Sequence, residues 1–138
     1  MAYLEPIIGA VAAFILGSLW YTVLFGKIWQ AETGITDEQA QDGMARTHGL
    51  AFLMMIVISY SINMIIGFHT LEEQTFSHGA LHGCLAAAFY CVPAVAINYL
   101  YQKKSLKLWL IDAGYVLAFC TLSGGVMAAL KLGVESAS

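Results

Sequence analysis

Charge is scarce in this chain: of 138 residues only 6 are Lys or Arg and 9 are Asp or Glu, a charged fraction of 11%. Soluble domains carry about 25%, so a fold with a fully solvated surface is excluded. Lys and Arg are absent before Ile7 and again between Phe68 and His78. The first absence removes the basic n-region of a secretory signal, and no small-x-small cleavage site follows. The first apolar stretch is therefore expected to be retained. No basic patch suits nucleic acid, which is excluded as a partner. There are 3 cysteines, Cys84, Cys91 and Cys120, and all fall in apolar stretches. That placement excludes a disulfide framework and suits small core residues. A phosphate-cradling glycine loop, a nucleophile elbow and a His-Glu-x-x-His site are also missing. No catalytic activity and no obligatory cofactor are expected.

Apolar residues are what the chain has in excess, at 59%. They gather in four nearly uncharged stretches, residues 7–25, 49–68, 78–101 and 108–130. A hydrocarbon core about 30 Å thick needs about 20 helical residues, and each stretch is long enough. Lipid forces the backbone to satisfy its own polar groups, so such runs fold as helices. The expected fold is all-α, a four-helix transmembrane bundle forming a single domain over residues 1–138, with the lipid bilayer as its first partner. Thr36-Asp37-Glu38-Gln39 is a capping box with acidic residues in the first turn. It predicts a short cytoplasmic surface helix in the first loop that breaks near Gly43.

The basic residues are unevenly placed. Lys27 and Arg46 flank the first loop, Lys103, Lys104 and Lys107 crowd the third, and only Lys131 lies at the other end. The positive-inside rule puts loops 1 and 3 in the cytoplasm. Both termini and the loop carrying Glu72 and Glu73 then face outward.

Small residues mark the contact faces. Gly9, Ala13 and Gly17 recur at intervals of four, and Gly79 and Gly83 do the same; such stripes let helices approach closely. They are expected to join copies in a homo-oligomer or to receive a partner membrane subunit. Pro93 removes a backbone hydrogen bond and predicts a kink in the third span. Trp20, Tyr21 and Trp29 are read as an interfacial aromatic belt. In the second span Ser59 and Asn63 share a face with Phe52, Ile56, Tyr60 and Gly67, where their side chains can bond neighbouring helices.

Asp112 is the carboxylate that these spans enclose. Acids inside a membrane are costly and face the bundle or a wet cavity, which makes Asp112 the principal polar candidate. Tyr115 lies on its stripe. Asn98 and Tyr99 sit at matching depth, and Arg46 and His48 enter from the same side. Pairing with Arg46, His48 or Asn98 would give Asp112 a purely structural role. At the opposite end His78 and His82 are one helical turn apart, with His69 across a short loop. Two such imidazoles with a third ligand form a pattern that suits Zn²⁺ or Cu²⁺; solvated or hydrogen-bonded histidines are the alternative.

Trp20-Tyr21, Phe25-Gly26-Lys27, Trp29, His82-Gly83, Pro93, Ile97-Asn98-Tyr99-Leu100, Ser105-Leu106-Lys107 and Ile111-Asp112-Ala113-Gly114-Tyr115 resemble the bacterial membrane family called domain of unknown function 1761. The resemblance covers nearly the whole chain. It implies a small four-helix protein of the bacterial inner membrane and supplies no activity; Thr22-Val23 stands where the family pattern has a proline after Trp-Tyr. Two functions are expected nearly level: an oligomeric permease-like transporter working through Asp112, and a non-catalytic structural or accessory subunit. An outer-face metal-binding protein is third.

Overall fold

The computed structural model describes residues 4–131. The expected outward placement of the two termini concerns residues 1–3 and 132–138, which lie outside the described residues. Among the described residues six helices follow one another: α1 (Leu4–Leu24), α2 (Gly26–Thr33), α3 (Asp37–Gln41), α4 (Met44–Ile66), α5 (Phe76–Tyr101) and α6 (Leu106–Leu130). Among the described residues there is no strand. The long helices α1, α4, α5 and α6 each have the length and apolar composition to cross a membrane. The expected all-helical architecture is thus observed.

Two helix starts differ from expectation. α1 is already helical at Leu4, the first described residue, so it includes Glu5 and Pro6 ahead of residue 7; Pro6 is tolerated there because the N–H groups of a first turn have no intrahelical acceptor. That extension draws Glu5 into the helix, where it is buried and its Oε2 accepts from the Asn63 amide at 3.1 Å. α4 opens at Met44 rather than at residue 49, directly after Gly43, whose φ of 63° few other residues adopt. The surface helix α3 forms as its capping box predicts: Thr36 Oγ1 accepts from the Gln39 N–H at 3.2 Å, and Gln39 Oε1 accepts from the Thr36 N–H at 3.0 Å. The first loop also contains α2, a second short helix that no capping motif announced.

α6 is the central helix. Half of its most apolar window is buried, against 17% for α1 and α4 and 11% for α5. Its small residues explain why. A methyl placed on Gly79 would strike the Gly124 carbonyl, and one on Gly83 would strike the Cys120 carbonyl. A methyl on Gly9 would meet Ser123 Oγ and one on Gly17 the Tyr115 hydroxyl. Both glycine stripes therefore do pack helices, but they pack α5 and α1 onto α6 of the same chain. The seats expected for a second copy are filled internally. Ser59 and Ser123 hydroxyls, 2.9 Å apart and both fully buried, join α4 to α6. Such a contact contributes about 0.6–2 kcal/mol. Ile62, Ile66, Phe119 and Met127 fill the core around them.

Two π-helical turns interrupt the long helices, at Trp20–Leu24 in α1 and Ala87–Cys91 in α5. The second lies just before Pro93. The Val92 N–H bonds the Ala87 carbonyl, and Pro93 then sits in the first turn of the next α-helical segment. Its missing N–H is accommodated there by the widened turn.

Candidate functional site

The π-helical turn at the end of α1 aims two aromatic side chains at α6. Trp20 Nε1 donates to the Ile111 carbonyl at 3.1 Å, and the Tyr21 hydroxyl donates to Asp112 Oδ1 at 2.6 Å. The Tyr99 hydroxyl, from α5, donates to Asp112 Oδ2. Each carboxylate oxygen thus accepts one phenol, and each phenol comes from a different helix. Bonds from phenols to an ionised carboxylate are stronger than neutral ones. Aromatic rings wall the centre. Tyr115 and Trp29 stack edge-on against Tyr21 at centroid distances of 5.2 and 5.8 Å. Trp20 packs against Phe25 at 4.8 Å.

The expected neighbours of Asp112 are only partly present. Tyr99 bonds it directly, while Tyr115 touches Tyr21 and gives its own hydroxyl to the Ala13 carbonyl at 2.8 Å. Asn98 is exposed and donates to Ala94 of its own helix at 3.0 Å, because it faces away from α6. Arg46 is exposed, and His48 bonds the Met44 carbonyl at 2.9 Å and packs on Phe14. No ion pair to Asp112 occurs among the described residues. Trp20, Tyr21 and Trp29, read from the sequence as interfacial aromatics, are half-buried against the bundle. Tyr21 is the site residue that sequence reasoning left among the interfacial aromatics. Its signal was its depth: it stands near the end of α1 as Asp112 stands near the start of α6.

A groove of about 360 Å³ opens beside this centre, lined by Tyr99, Leu100, Lys104 and Trp109 among others. Lys104 Nζ lies 5.3 Å from the Tyr99 ring centroid. On the same end α2 meets the start of α6: Glu32 accepts from Ser105 Oγ and lies 3.7 Å from Lys107 Nζ. Asp112 does not line the groove.

At the other end of the bundle the three expected histidines come together. Thr75 caps α5 by accepting from the His78 N–H at 3.3 Å, so His78 and His82 fall on successive turns of one face. The α4–α5 loop folds back over them, held by the Gln74 amide on the His69 carbonyl at 2.9 Å. The ring centroids of His69, His78 and His82 are 4.5, 4.5 and 4.6 Å apart. Glu73 beside them accepts from the Thr70 hydroxyl at 2.9 Å and the Thr70 N–H at 3.0 Å. The Thr70 hydroxyl, then the N–H, hold the Glu73 carboxyl below the usual range.

Fold and site together define an all-helical bundle with four helices apolar and long enough to cross a membrane, compatible with a multi-pass membrane protein. Residues 4–128 match the family model described as "Protein of unknown function (DUF1761)", and the chain belongs to that family. No curated protein and no solved structure matches it.

Proposed function

We propose that the chain is a non-catalytic multi-pass membrane protein in which Asp112 is the junction between helices. The observation that supports this role is that both Asp112 oxygens are engaged by the chain itself, through Tyr21 of α1 and Tyr99 of α5. A lone carboxylate costs about 2.5–3.5 kcal/mol at a helix centre on the insertion scale, an upper bound for Asp112, which stands near the start of α6. Hydrogen bonds to a charged group return about 1.5–3 kcal/mol each, so the paired phenols offset the cost and tie α1 and α5 to α6. Contacts with a second copy or an accessory partner are then assigned to the outward apolar faces of α4 and α5, where Leu53, Val57 and Tyr90 are exposed.

One observation favours a permease-like bundle instead: the groove reaches Tyr99, one hydroxyl away from Asp112. Proton flux into proteoliposomes separates the two. A junction residue predicts that wild type and Asp112→Asn both stay at the level of empty vesicles. Flux by the wild type that the folded variant loses would establish transport.

We also propose that the bundle lies in a plasma membrane with its lysine-rich end inward, on the charge asymmetry of the loops. Single cysteines at the exposed positions Gln102 and Glu72 report the orientation. In sealed cells an impermeant thiol reagent is expected to label position 72 alone. Labelling of position 102 alone would invert the assignment.

A further inference from the structure

We propose that His69, His78 and His82 form a three-imidazole site for a divalent transition-metal ion, with Zn²⁺ as the ion the geometry fits best. One ligand nitrogen from each ring lies within 4.8 Å of the other two. A tetrahedral zinc centre with Zn–N bonds of about 2.0–2.1 Å separates its nitrogens by about 3.3–3.4 Å. Coordination therefore requires the nitrogens to draw together by about 1.5 Å at most.

The surroundings orient the donors as a metal site requires. His69 Nδ1 lies 3.2 Å from the Ile65 carbonyl, which can only accept, so this nitrogen carries the proton. The Nε2 lone pair of His69 is left free, the arrangement that backbone carbonyls commonly impose on metal-ligating histidines. His78 Nε2 and His82 Nε2 face each other at 3.0 Å. Two like nitrogens at that distance need either one shared proton or a cation between them. The three rings are half-buried, with interplanar angles of 50–66°, so the site is walled yet reachable. Glu73 adds a negative charge next to His69 and His78. A three-nitrogen set leaves the fourth position of a tetrahedron to water or an incoming ligand. Imidazole suits Zn²⁺ and Cu²⁺ and discriminates against Mg²⁺, which prefers oxygen.

The site lies at the opposite end of α6 from Asp112, so it stands whether Asp112 is a junction or a transport group. The test is calorimetric titration of Zn²⁺ into detergent-solubilised protein carrying no polyhistidine tag. One saturable site is expected, insensitive to excess Mg²⁺ and weakened about 100-fold or more in His78→Ala/His82→Ala. His48→Ala, whose ring lies at the far end of the bundle, should bind like wild type. Co²⁺ as a spectroscopic probe should give the intense visible bands of a four-coordinate ion. Absence of saturable Zn²⁺ binding by the wild type would overturn the proposal, which keeps the test independent of how the variants fold. Equal binding by the double variant, or a spectrum of aqueous Co²⁺ alone, would overturn it too.

Discussion

Gly83→Leu in α5 is expected to prevent the bundle from closing. Gly83 faces the backbone carbonyl of Cys120, and a Cβ there overlaps that oxygen and its carbon. A backbone atom cannot swing aside as a side chain can, so α5 must separate from α6. The Gly79–Gly124 contact one turn away then opens as well, because both glycines meet backbone on the same seam. Overpacking costs about 1–3 kcal/mol and sometimes more; here it falls on the most tightly packed contact of the central helix. A fall in melting temperature of about 10 °C or more, or loss of a monodisperse species, is expected by circular dichroism and size-exclusion chromatography in detergent. Gly49→Ala is the control. No heavy atom outside its own helix lies within 4 Å of its added methyl, and alanine is favoured over glycine by about 0.5–1 kcal/mol inside a helix, so no loss of stability and a small gain are expected. Equal melting of Gly83→Leu and wild type would refute the seam.

Removing both phenol hydroxyls is expected to damage the other end as severely. Tyr21→Phe and Tyr99→Phe preserve ring volume and the packing of Tyr21 against Trp29 and Tyr115. Each deletes one donor to Asp112, at a cost of about 1.5–3 kcal/mol for a bond to a charged group. The double variant leaves Asp112 without either phenol and is expected to lose more than the two single costs combined, since the last hydrogen bond to a half-buried charge is the one whose loss strands it. Adding Asp112→Leu should recover part of the loss, because an apolar side chain no longer needs donors. A double tyrosine variant as stable as wild type would remove the junction from the account.

Much of this was legible in the residues, and the failures have identifiable physical causes. Length and apolar content announced four long apolar helices, because a run of about 20 apolar residues that is to cross lipid can satisfy its backbone only as a helix. Thr36 and Gln39 announced α3, because a capping box is local chemistry. The glycine stripes announced close packing but not its partner: Gly83 fits a helix of the same chain as well as one from a second copy. The histidine convergence followed from one helical turn plus a short loop. The partners of Asp112 were harder. Asn98 has the right depth and the wrong azimuth, and a helix with an inserted π turn cannot be phased by counting 3.6 residues. The same irregularity turns Tyr21 inward. Glu5 was passed over because the helix was started after Pro6, although a proline there marks a first turn.

The central claim, that Asp112 holds α1 and α5 to α6, is tested most directly by a double-mutant cycle between Asp112→Asn and Tyr99→Phe. Unfolding free energies of wild type, both single variants and the double variant are measured in one detergent system. Direct partners are expected to show a coupling of about 0.5–3 kcal/mol, so that the second substitution costs much less once the first is made. Additive costs, agreeing within about 0.3–0.5 kcal/mol, would show that the carboxylate and the hydroxyl act independently and would contradict the junction.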